Sequence, residues 1–301
     1  MNVLSSGILN TQFFEQEVTR LLHNNTGGLR NYVNNKGIIV GNTIRFPLID
    51  TDGMASLVNS GSPTNPSQLF ADTATATIYA YESAAMVDQF TLNSSNSAAG
   101  IRAAAAEKVV SDMERKATDV ILSVMAGYDD TNMELGDAST DFSVDSFADL
   151  DYLARKNNWG DAGRFILLPP QAENTLKKDT KFYEIWSLRN GGKAMVDGIP
   201  TSENNSLVFY PYGKWNVGFM GQKGTGNVSG LPATDTGAAT GYAWLAPRVG
   251  YGSNQAVQGS IFEDKTKQGN PLVFKTNGSM GSTIIDLQGV IGIKLDGTEP
   301  A

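Results

Sequence analysis

Cysteine is absent from the 301 residues, which removes disulfides, thiol nucleophiles and thiolate metal sites together. Whatever durability the fold has must come from packing and association. Histidine occurs once, as His23 in the polar run His23-Asn24-Asn25-Thr26-Gly27-Gly28, which reads as a surface loop. A Ser-His-Asp triad would have to recruit that residue, and a zinc site would have to be built almost wholly of carboxylates. Ser-Lys and carboxylate-only chemistry stay open. No run of about 18 apolar residues is present to span a bilayer, and residues 1–10 lack the basic and apolar regions of a signal peptide. The chain is therefore expected to be soluble and not exported by a Sec-type route. Lysine and arginine form no run that could grip nucleic acid by counterion release.

The charge that is present is uneven. Net charge is -8, and between positions 129 and 151 stand Asp129, Asp130, Glu134, Asp137, Asp141, Asp145, Asp149 and Asp151 with no Lys or Arg among them. Elsewhere the two signs balance. Oxygen ligands at the spacing of Asp129, Asp130 and Glu134 suit calcium in principle. The glycine that a calcium loop places at its sixth position is missing, so the stretch reads as a solvated acidic loop.

Along the chain, residues 11–23 predict a short amphipathic helix with Phe14, Val18, Leu21 and Leu22 on one face. Residues 37–47 alternate Ile38, Val40, Ile44 and Phe46 around Gly41-Asn42, the pattern of a hairpin. Between positions 50 and 67 the sequence fills with Gly, Ser, Asn, Thr and Pro, predicting an exposed, mobile tip. The Thr- and Tyr-rich run 73–82 then predicts a second strand arm. Positions 96–127 carry the strongest helical signal, with Ile101, Ala105, Val109, Met113, Ala117, Val120, Ile121 and Val124 at three- and four-residue intervals. Arg102, Glu107, Lys108, Asp112, Glu114, Arg115 and Lys116 fall largely elsewhere, Asn96 or Ser97 could cap the start, and Gly127 could end it. A helix over 146–156, an apolar strand over 164–168 ended by Pro169-Pro170, a helix from near Gln171 and a strand over 206–210 follow. Two apolar strands, 283–287 and 290–295, separated or bent at Gly289 and Gly292, close the chain within a sheet. The fold class is α+β.

Motifs for chemistry fail one by one. Gly221-Gln222-Lys223-Gly224-Thr225-Gly226 is followed by more loop where a phosphate cradle needs a helix. Gly191-Gly192-Lys193 lacks a glycine at Ser187 and has Ala194 where a magnesium-binding hydroxyl belongs. Trp159, Trp186, Trp215 and Trp244 are scattered, which fits core and interface packing better than a stacking platform.

The order of these blocks resembles the Hong Kong 97-like major capsid proteins of tailed bacteriophages, a family that includes encapsulin shells. Phe165-Ile166-Leu167-Leu168-Pro169-Pro170-Gln171-Ala172-Glu173-Asn174-Thr175-Leu176 looks like the axial-domain strand and helix of these coats. Val196-Asp197-Gly198-Ile199-Pro200 looks like the segment after it, and Gln288-Gly289-Val290-Ile291-Gly292-Ile293-Lys294 is similar to the closing strands. The resemblance implies an N-terminal arm (1–36), an extended loop (37–80), a peripheral domain (81–141 and 241–301) with a spine helix over about 96–127, and an axial domain (142–240). The terminal strands would return to the peripheral sheet.

By the same resemblance the chain is a major capsid protein, assembling as pentamers and hexamers into an icosahedral head around phage DNA. It implies location in the virion, and in the host cytoplasm during assembly. No catalytic, cofactor-binding or metal residues are expected, and no cofactor. The implied partners are copies of itself, a portal protein and double-stranded DNA contacted non-specifically, with room for a decoration protein and no membrane. A spine starting near residue 96 leaves no space for an internal delta domain, which implies a separate scaffolding protein. No Lys lies between Lys36 and Lys108, so the loop cannot supply a Lys-Asn cross-link of the kind some members form. An encapsulin-like compartment, an unrelated α+β hydrolase and a glycan-binding tail component are the competing readings.

Overall fold

The computed structural model describes residues 28–49, 71–88, 98–137, 139–179, 209–219, 238–267 and 271–296. The segment 11–23, His23, the tip 50–67, Asn96, Ser97, Trp186 and the motifs at 191–193, 196–200 and 221–226 lie outside them. In chain order the strands are β1 (Ile38–Val40), β2 (Thr43–Ile49), β3 (Ala71–Thr77), β4 (Tyr79–Val87), β5 (Glu134–Leu135), β6 (Arg164–Leu168), β7 (Phe209–Tyr212), β8 (Trp215–Phe219), β9 (Ala238–Leu245), β10 (Val249–Glu263), β11 (Leu272–Ile284) and β12 (Val290–Asp296). The helices are α1 (Ala98–Met125), α2 (Val144–Lys156) and α3 (Pro170–Lys178).

β1 and β2 form the hairpin that the alternation predicts, with Gly41 at φ 63° taking the left-handed turn conformation that glycine adopts without strain. β3 pairs antiparallel with β2 from Thr43 opposite Thr77 to Ile49 opposite Ala71. The two arms either side of the polar stretch are thus hydrogen-bonded to each other. One residue after β3 the chain enters β4, the edge of a second antiparallel sheet ordered β10-β11-β4.

Helix α1 lies on this second sheet. Its 28 residues make it about 42 Å long at 1.5 Å per residue. Small side chains at its first half bring it close: Ala105, Ala106, Val109 and Val110 bury against Ala85 and Phe274. Further along, Met113, Ala117, Ile121, Leu122 and Met125 are buried with Trp244, Tyr251 and Met280. The apolar stripe is wider than the three-four spacing suggests, because the second half of the helix is enclosed by two sheets. Leu122 and Met125 are therefore fully buried, whereas Ile101, Val120 and Val124 are only half-buried. Glu114, expected on the polar side, is buried too. Gly127 is not a left-handed cap; its amide bonds the Val124 carbonyl at 2.9 Å without a positive φ.

The third sheet is mixed and six-stranded, in the order β5-β12-β9-β6-β8-β7, with β6 parallel to β8 and β5 parallel to β12. α2 and α3 cover one face, packing Phe147, Leu150, Ala154, Ala172 and Leu176 against Ile166, Leu168, Val217 and Ile293. The other face meets the end of α1 through Leu167, Tyr242, Trp244 and Val290. Burial on both faces explains why β6 reads as an unbroken apolar run. α2 starts two residues earlier than the sequence predicts, at Val144, where Ser146 Oγ accepts from the Ser143 amide at 3.1 Å. Pro170 opens α3, where its missing N–H costs nothing.

The terminal strands depart from expectation. Thr283 and Ile284 finish β11 in the sheet under α1, the turn Leu287–Gly289 carries the chain out of it, and Val290–Asp296 pairs with β9 in the six-stranded sheet. The return is to the sheet that holds β6, and Gly289 marks the joint between sheets. Gly292 is a close approach and not a bulge: a Cβ there would lie 2.0 Å from the Tyr128 ring. Residues 134–135, 238–245 and 290–296 thus share a sheet with β6, so breaks at 142 and 240 are not breaks between sheets.

Candidate assembly surfaces

The β1–β3 hairpin docks on the second sheet through a strip without side chains. Ile44, Phe46 and Ala76 are buried at its base. A Cβ on Gly252 would lie 2.4 Å from Ile44 Cδ1, and one on Gly250 2.6 Å from the Phe46 ring. A Cβ on Gly281 would meet the Thr77 carbonyl oxygen at 2.4 Å. Glycines at alternate positions of β10 leave one face of that strand flat, and the two large hairpin side chains lie in the space. The Ile78 amide also donates to the Asn42 carbonyl at 2.8 Å. The hairpin is thereby fixed at its root while β1 stays uncovered: Ile38, Ile39 and Val40 are 61%, 41% and 47% exposed. Three consecutive exposed β-branched residues on an edge strand are a surface that association would bury.

A 3-10 turn, Leu29–Tyr32, sits between α1 and the third sheet. Leu29 and Val33 are buried, Trp244 Nε1 donates to the Tyr32 carbonyl at 2.9 Å, and Asn34 bridges Gly250 in parallel register. Arg30 Nη2 stands 2.7 Å from Glu114 Oε1 on α1. Burial raises the Glu114 carboxyl above its ordinary range, and the opposing pull of Arg30 is the smaller effect. Burial also pushes the neighbouring Tyr251 phenol up to about 12.

The charged residues of the third sheet serve structure. Arg164 is fully buried. Its Nε and Nη2 donate to the Gly160 and Trp159 carbonyls at 2.6 and 2.8 Å, and its Nη1 donates to Asp151 Oδ1 at 3.0 Å. Trp215 Nε1 donates to the same Asp151 oxygen at 3.0 Å, and the guanidinium lies over the Trp215 ring. Lys214 beside Asp161 holds that carboxyl below the usual range.

The acidic stretch is dispersed by local bonds. Glu134 accepts from Lys294 Nζ at 2.8 Å and Tyr128 at 3.1 Å. Asp129 accepts from the Thr131 amide and Asn132, and Asp137 from Ser139 and Thr140, which lowers both carboxyls. Asp129, Asp130 and Glu134 are therefore not convergent, and among the described residues no group of three acidic or histidine side chains is placed to hold a metal. Trp159, Trp215 and Trp244 are buried in the cores.

Comparison with known proteins defines the class. A family model described as phage capsid protein matches residues 9–155. The fold is similar to the capsid of Ralstonia phage GP4 (TM-score 0.62, 12% identity, covering 90% of this chain and 88% of that one). It is also similar to the capsid of Helicobacter pylori bacteriophage KHP30 (0.61, 12%, 89% and 88%) and to a virus-like particle from Pyrococcus furiosus (0.54, 13%, 94% and 98%). No curated protein sequence matches it. The architecture is the Hong Kong 97-like shell fold. Taken with the family match over residues 9–155, this fold supports reading the chain as a structural subunit of a phage capsid.

Proposed function

We propose that the chain is the major capsid subunit, forming pentamers and hexamers that close into an icosahedral head around double-stranded DNA. The observation that carries this reading is the β1 edge, three apolar residues held away from the core on a hairpin with a fixed root. A surface of this kind facing a different surface on the next copy makes a head-to-tail contact, and such contacts close into rings when the rotation from copy to copy is a fifth or a sixth of a turn. In this reading residues 1–36 are the arm and 37–80 the extended loop. Residues 81–141 and 241–301 form the peripheral domain around the spine, and 142–240 the axial domain, whose sheet borrows β5, β9 and β12. A separate scaffolding protein and a portal complete the assembly, with room for a decoration protein. DNA is contacted without sequence preference.

Expression of the chain with its genomic neighbours, followed by electron microscopy and nuclease-protection of the contents, tests this. Closed shells containing DNA are expected. Closed shells filled with enzyme cargo and no DNA would assign the chain to an encapsulin-like compartment, and a monomer at all concentrations would overturn both readings.

A further inference from the structure

The carboxylate of Glu114 is buried against the turn that precedes the first sheet. Its side chain is 4% exposed, halfway along the spine helix. The Arg30 guanidinium is at Oε1, but Oε2 has no hydrogen-bond donor among the described residues. What encloses Oε2 is the 3-10 turn itself: a Cβ on Gly28, the residue before the turn, would lie 2.6 Å from it. Tyr251 of β10 faces the same pair. On α1 itself, Lys116 is turned to Asp119 and the Tyr81 ring of β4, and β11 presents Gly278 and Met280 beside Met113. Among the described residues, one cation and one neutral phenol are thus the ionisable groups that meet this carboxylate.

We infer that Glu114 and Arg30 form a pH-responsive clasp between the 28–33 segment and the spine, which closes more tightly as acid neutralises Glu114. Docking the turn strips water from the carboxylate. Arg30 offsets only part of that cost, so a neutral carboxyl is the better-fitting form. With the turn undocked, Glu114 is solvated and holds its proton less tightly. The docked state therefore binds the proton more strongly, and lowering the pH through the range where Glu114 titrates favours docking. Arg30 serves to keep the clasp closed when Glu114 is ionised. The position of the clasp gives it a use: it lies where residues 1–27 lead into the fold, so it sets how firmly the arm's root is held.

Hydrogen exchange of the full-length chain, read by mass spectrometry in steps from about pH 7.5 down to about pH 4.5, the ordinary carboxylate range, and corrected for the intrinsic pH dependence of exchange, tests the clasp. Protection of a peptide covering 28–33 is expected to rise as pH falls, by at most about tenfold per pH unit, while a peptide covering 117–125 stays level. Glu114→Gln should hold 28–33 at high protection at every pH. Arg30→Gln should lower its protection at pH 7.5 and recover steeply in acid, and Arg30→Lys should restore much of the wild-type profile. Protection that falls in acid, a pH dependence unchanged in Glu114→Gln, or an Arg30→Gln profile without acid recovery would each overturn the inference. The readout is local to one subunit, so it stands or falls independently of whether shells form.

Discussion

Single residues decide how closely the elements approach. Gly281 touches the backbone of the hairpin, because a Cβ there would sit 2.4 Å from the Thr77 carbonyl oxygen, which has no rotamer by which to yield. Gly160 has open space where its Cβ would go and no unusual φ. Gly281→Ala is therefore expected to destabilise the subunit by about 1–3 kcal/mol, and Gly160→Ala to stay within about 0.5 kcal/mol of wild type. Chemical denaturation of both variants checks this, and equal midpoints would mean that the hairpin root is free to shift. Arg164 illustrates the opposite case, a large charged side chain made tolerable inside by two carbonyls, a carboxylate and an indole face.

At the scale of elements, the spine helix is the clearest case of a pattern refined by its surroundings. Val109 is fully buried against the sheet, Val120 is half-buried, and Lys116 is an exposed-side residue already engaged by Asp119 and Tyr81. Val109→Asp should cost roughly 3–5 kcal/mol, since the new carboxylate has no partner in that cluster. Val120→Asp should cost less, roughly 1–2 kcal/mol, because its side chain reaches water. Lys116→Ala should cost about 0.5 kcal/mol or less, as a surface ion pair contributes little. Thermal melts in that order confirm the burial of the helix; a Val120 variant as damaging as the Val109 one would place the packed face elsewhere.

For the whole molecule, folding and association use different residues. The hairpin root is built from Ile44, Phe46 and Ala76, whereas Ile38 and Val40 point away from that cluster and are largely exposed. The double variant Ile38→Asp, Val40→Asp is therefore expected to keep the stability of the isolated subunit within about 1 kcal/mol and to assemble poorly. Melting of the dilute subunit and light scattering of the concentrated protein with scaffold separate the two effects. Normal assembly of this variant would remove β1 from the interface.

Periodicity and turn chemistry in the sequence are enough to place the hairpin at Gly41, the spine helix, and the strand-proline-helix unit at 164–178, because each depends on neighbours within a few residues. The absence of cysteine and the single histidine likewise bound the chemistry by composition alone. The burial of Glu114, the joining of β12 to the six-stranded sheet and the docking of Ile44 and Phe46 onto Gly250 and Gly252 are decided only by tertiary contacts. These join segments far apart in the chain, and the sequence offers one signal for them, the alternate glycines of Val249-Gly250-Tyr251-Gly252. A flat strip on a strand shows that something approaches closely, but not what, since the identity of the approaching side chain is fixed by the path of the chain and not by local preference.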